Sequence, residues 1–142
     1  MEGLSDAEIE RRLRAAPDDR WDELEAAAAA VAAEDEHGRW DGPPGHMPYV
    51  VYNDTVARFV AAVYGLGASE PFDWMAWGGL DRYWGGEGLA GAPVAEAVRL
   101  VMAVSRADRF GEGTLLAAFD GGTMAAVADR LRRWHGTERA GG

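Results

Sequence analysis

Residues 106–113, Arg106-Ala-Asp-Arg-Phe-Gly-Glu-Gly113, bring together two arginines, two carboxylates, one aromatic ring and two glycines. Two guanidinium forks can clamp a carboxylate or a phosphate, with Asp108 or Glu112 beside them as a base. The same spacing also suits a structural role. On a helix Arg106 and Arg109 stand three apart, as do Arg109 and Glu112, so a ladder of ion pairs is geometrically natural. Arginine near a helix C-terminus complements the dipole, Gly111 marks the break, and Phe110 becomes an apolar pin seated on the core. A second group, Asp73, Trp74, Trp77 and Trp84, can line a ligand or peptide groove. Large rings also fill the core of a thin, alanine-rich domain. Both readings of both groups stay open.

Other chemistry finds less support. Gly86-Glu-Gly-Leu-Ala-Gly91 has the glycine spacing of a dinucleotide-binding turn and precedes a helix. No strand leads into it, however, and Glu87 would oppose a pyrophosphate, so a glycine-rich turn suffices and no cofactor is expected. His37, His46 and His135 lack metal-ligand spacing, so His37 and His46 read as exposed loop histidines and no metal site is expected. Ser5, Ser69 and Ser105 have no nucleophile-elbow context. The chain has no cysteine, which removes thiolate catalysis and disulfides.

The charge pattern points to partners. The net charge is −10, and all fourteen basic residues are arginine. Residues 1–36 carry twelve Asp and Glu against four Arg, a balance of −8, while the remaining residues are close to neutral. Such acidity argues against direct nucleic acid binding, which needs clustered positive charge. It suits a protein partner with a basic surface, approached through Glu8, Asp18, Asp19, Asp22, Glu23, Glu34, Asp35 and Glu36. Runs without charge, such as residues 42–53, are too short to span a bilayer, and the N-terminus does not resemble a signal peptide. The expectation is a cytoplasmic protein with no membrane contact.

These groups must be positioned by helices. Ser5-Asp-Ala-Glu8 has the form of a capping box and opens a helix that Pro17 stops. An alanine-rich helix follows to residue 33, with small side chains suited to packing inside the domain or across a homo-oligomer. Residues 34–48 carry loop signals, and Tyr49 to Tyr52 is too short to imply a sheet. Asn53 is a good N-cap, and Val56, Phe59, Val60 and Val63 then mark one buried helical face. Val94, Ala97, Val98, Val101 and Met102 mark another, after Pro93 in the first turn. A short helix is expected over residues 112–119. The last begins near Thr123, turns Met124, Val127, Ala128, Leu131 and Trp134 inward, and ends at Gly136. The sequence predicts an all-α single compact domain of six to seven helices with no substantial sheet. Residues 1–36 form an acidic helical pair on or beside the core, 37–53 a loop, 54–136 the helical core and 137–142 a flexible tail.

Met47-Pro48-Tyr49, Phe72-Asp73-Trp74 with Trp77, and Arg106-Ala-Asp-Arg-Phe110 with Glu112-Gly113 occur in that order. This resembles the bacterial and phage family known as domain of unknown function 6508, over residues 47–134, with the acidic N-terminal helices outside it. In that family the position of Gly111 is often cysteine, so no thiol role falls there in this chain. The resemblance implies an architecture and a focus on residues 106–113, but no reaction. Two functions are expected. One is a non-enzymatic helical interaction or regulatory module, a phage or host-defence accessory protein acting through its acidic surface. The other is a small ligand-binding domain or enzyme that uses the Arg/Glu cluster beside a tryptophan-lined pocket.

Overall fold

A computed structural model describes residues 3–141. Among them the chain forms eight α-helices, one two-stranded ribbon and two 3-10 turns. In chain order these are α1 (Asp6–Ala15), α2 (Asp18–Ala32), β1 (Gly38–Asp41), β2 (Tyr49–Tyr52), α3 (Asp54–Tyr64), α4 (Trp74–Trp77), α5 (Gly79–Arg82), the 3-10 turns Trp84–Gly86 and Leu89–Gly91, α6 (Val94–Asp108), α7 (Thr114–Asp120) and α8 (Thr123–Gly141). The fold is all-α apart from the small ribbon. No helix among the described residues is long and apolar enough to cross a membrane.

Helix α6 is the centre. Val94, Ala95, Ala97, Val98 and every residue from Leu100 to Val104 are buried, so it is apolar almost all round, as a helix enclosed by others must be. Helices α1, α5, α7 and α8 pack on it, and α2 packs on α3 and α8. Leu13 of α1 and Trp21 and Leu24 of α2 lie in the same core as Phe59, Val101 and Leu131. Each such side chain contributes about 1.5–3 kcal/mol by leaving water. The acidic helices are therefore integral to the core through their apolar faces.

The start of α1 follows half of the expected box. The Ser5 hydroxyl accepts from the Glu8 amide at 3.2 Å, while the Glu8 carboxylate turns to Arg11 and Arg12. Asn53 precedes α3 but does not cap it with its side chain. Its amide donates instead to the Glu34 carboxylate and the Glu36 carbonyl, tying the end of α2 to the start of α3.

The expectation of a loop without strands over residues 37–53 is corrected. Gly38 pairs with Tyr52 and Asp41 with Tyr49 in an antiparallel ribbon. Four-residue strands are unstable alone, and contacts with α6 and α7 hold this one. His37 is likewise not an exposed loop residue. It is 8% exposed, with Nδ1 2.7 Å from Asp120 Oδ1 and Nε2 3.0 Å from the Val31 carbonyl. It thereby joins α2, the ribbon and α7. The last helix also passes Gly136 and runs to Gly141, because a lone glycine in a helix costs only about 1 kcal/mol.

The glycine-rich turn before α6 has a packing explanation. Gly86 has φ +86°, and a Cβ there would stand 2.5 Å from Ala126 of α8. Glycine lets the turn reach α8.

Candidate functional site

The cluster at residues 106–113 is the hinge between α6 and α7. Helix α6 ends at Asp108, and the Phe110 and Gly111 amides both close on the Ala107 carbonyl. Gly113 then takes φ +98°, and a Cβ on it would sit 2.5 Å from the Trp40 ring. Only glycine fits, and it admits the ribbon's indole against the hinge.

Among the described residues the expected ladder of ion pairs is absent. Asp108 Oδ1 accepts from the Tyr52 hydroxyl at 2.9 Å, the Gly113 amide at 3.2 Å and the Leu115 amide at 2.9 Å. Glu112 Oε1 accepts from the Val50 amide at 3.0 Å. Both carboxylates serve the ribbon and the start of α7, not the arginines. The reason is that the helix stops before Glu112, so the spacing of three no longer places it beside Arg109. Among the described residues Arg106 and Arg109 have no ion pair and no hydrogen bond to their guanidinium groups. Phe110 is not a pin either. It is 79% exposed, with its ring 6.5 Å from that of Trp74.

The unpaired arginines line two cavities. The larger, about 510 Å³, lies between α3 and α6. Val56, Ala57, Val60, Ala61 and Tyr64 form one side, and Ser105, Arg106 and Arg109 the other. Tyr52 and Leu115 also line it. The Ser105 hydroxyl is buried with no hydrogen-bond partner. Burial first, then the hydrogen bond to Asp108 and its charge, hold the Tyr52 phenol above its ordinary pKa. The second cavity, about 320 Å³, is lined by Pro71, Phe72, Asp73, Trp74, Met102 and Arg106. Arg106 therefore borders both.

The other sequence candidates separate. Asp73 caps α4 by accepting from the Ala76 amide at 3.3 Å, and Trp74 lies beside Arg106. Trp84 is exposed on its 3-10 turn. Trp77 belongs to a network that the sequence reading missed. Its Nε1 donates to Glu96 Oε2 at 3.0 Å, and the Tyr83 hydroxyl donates to Glu96 Oε1 at 3.2 Å. Arg99 donates to Glu96 at 3.0 Å, to Asp6 at 2.5 Å and to the Leu4 carbonyl at 2.9 Å. Burial opposes the Arg99 charge, but these carboxylates outweigh it and raise the pKa. The signal was available, since Glu96 and Arg99 are the only charges in the stretch from Val94 to Val104, three apart on an otherwise apolar helix segment.

Of the acidic candidates, Glu8 pairs with Arg11 and Arg12, and Glu23 with Arg58. Glu34 accepts from Asn53 and Thr55. Asp18, Asp19, Asp22, Asp35 and Glu36 are exposed without ion pairs to described residues. No group of three or more His, Asp or Glu among the described residues is placed to hold a metal ion.

A model of the family described as Family of unknown function (DUF6508) matches residues 16–137. That span takes in α2, so the boundary read at residue 47 moves towards the N-terminus. The core position of Trp21 and Leu24 accounts for it. No curated protein and no solved structure matches the chain.

Proposed function

The chain belongs to this family of unknown function, and on its geometry we propose that it is a non-enzymatic binding module whose α3–α6 cleft takes an anionic ligand. One observation carries the reading. Arg106 and Arg109 border an apolar cleft while the carboxylates nearest them in sequence, Asp108 and Glu112, are occupied elsewhere. Guanidinium groups left without a carboxylate in a protein of net charge −10 are suited to an incoming anion. The lining supports binding over turnover, for it offers arginines, a serine and a phenol kept in its protonated form, none of them a ready base.

Amide chemical shifts measured during titration with acetate, benzoate and phenyl phosphate test it. At least one anion is expected to give saturable shifts in residues 56–64 and 105–109. Arg106→Gln with Arg109→Gln should then weaken that binding about tenfold or more. If no anion saturates, or the double variant binds equally well, the proposal is wrong.

A second reading rests on the exposed, unpaired Asp18, Asp19 and Asp22 of α2. These could steer a basic protein partner to a regulatory complex. Deleting residues 1–36 would take Leu13 and Leu24 out of the core, so point changes are used. Changing the three Asp to Asn leaves the core intact and should abolish capture of a basic protein in a pull-down at low salt. Equal capture by the variant sinks this reading.

A further inference from the structure

The α3–α6 cleft is specific enough to name a ligand class, and we infer that it binds a small molecule carrying one carboxylate on an aliphatic body. The inference rests on the anion-binding reading above and goes further in three respects.

The first is the arrangement of donors. Arg106 in the last turn of α6 and Arg109 at its C-cap both border the same cavity. A planar carboxylate offers two oxygens, and each guanidinium is a flat fork that matches that geometry. Ser105, next to Arg106, lines the same wall.

The second respect is the rest of the wall. Val56, Val60 and Leu115 present branched aliphatic groups, while Ala57 and Ala61 leave the groove its depth. Among the described residues no charged side chain other than the two arginines borders it. A body of hydrocarbon is therefore matched along its length, and a sugar or a polyanion is not. A volume of about 510 Å³ suits a small molecule.

The third is charge. The ligand must approach a protein of net charge −10. A monoanion meets less long-range repulsion than a phosphate dianion.

The test titrates octanoate, octanol, octylamine and octyl phosphate into the full chain by calorimetry. Octanoate is expected to bind at one site, with octanol and octylamine at least about tenfold weaker, the loss that goes with a charge-assisted pair. Arg109→Gln should weaken octanoate by a similar factor. Ala61→Trp fills the groove from the exposed side of α3 and should abolish octanoate binding without changing the melting temperature. Octanoate binding that survives Ala61→Trp, or octanol binding as well as octanoate, overturns the inference. Tighter binding of octyl phosphate overturns the ligand class but leaves the anion site standing. Failure of every anion removes both.

Discussion

Glu96→Ala should lower the unfolding free energy by about 3–5 kcal/mol, the usual cost of removing one partner from a buried ion pair. Glu96 and Arg99 expose only 12% and 15% of their side chains. The carboxylate receives the Trp77 indole N–H, the Tyr83 hydroxyl and the Arg99 guanidinium. Alanine would leave all three donors short of an acceptor in a site that water barely reaches, and Arg99 would keep only Asp6 and the Leu4 carbonyl. Helices α4 and α5 are four residues each and cannot hold themselves, so they should loosen first. Urea unfolding followed by circular dichroism gives the free energy, and a red shift of tryptophan emission reports exposure of Trp77. Glu96→Gln keeps the shape and one acceptor, so it should cost less than alanine. A loss below about 1 kcal/mol for the alanine variant would place this pair with surface pairs, which contribute little. The Glu8 pairs with Arg11 and Arg12 are of that kind. Its carboxyl is drawn down to about 2, chiefly by the hydrogen bond from Arg11, yet solvent screens the interaction and α1 depends more on Ile9 and Leu13.

The contrast between these two sets of charges shows what a sequence makes legible. Val56, Phe59 and Val63, or Met124, Val127 and Leu131, recur at helical spacing, and each group lies buried as that spacing requires. Such patterns are local, so they survive without knowledge of the rest of the chain. The ribbon is the opposite case. Its register depends on Glu112 meeting Val50, on Asp108 meeting Tyr52 and on Trp40 covering Gly113, contacts made far along the chain. His37 is similar, since Asp120 and the Val31 carbonyl define its surroundings. The hinge was found in sequence but misassigned. Its spacing of three assumes a helix that persists, and this helix stops at Asp108. Once it stops, the acids leave the arginines and turn to backbone amides. The unpaired arginines are a consequence of that termination, which no periodicity displays.

Asp108→Ala should therefore do two things at once, destabilising the fold by about 2–4 kcal/mol and weakening any ligand in the α3–α6 cleft. Helix α7 starts after Gly113, which has no side chain to cap it. Its first amides need acceptors, and Asp108 Oδ1 supplies one to the Leu115 N–H from outside the helix, as an N-cap carboxylate would. The same oxygen holds the Tyr52 hydroxyl, which in turn accepts from the Leu116 amide at 3.3 Å. Removing the carboxylate strands donors on the hinge, on α7 and on β2 together. Tyr52 and Leu115 also line the cleft, so its wall loosens while Arg106 and Arg109 are untouched. Hydrogen exchange should show faster loss of protection at Leu115 and Leu116 than in α6, whose amides close within their own helix. Asp108→Asn retains an acceptor at the same place and should preserve most of the stability and the binding. Tyr52→Phe, which removes one of the three donors, should fall between wild type and Asp108→Ala. If Asp108→Ala leaves Leu115 and Leu116 protected, then α7 is held by its apolar face alone, and the hinge carboxylate does not organise the site.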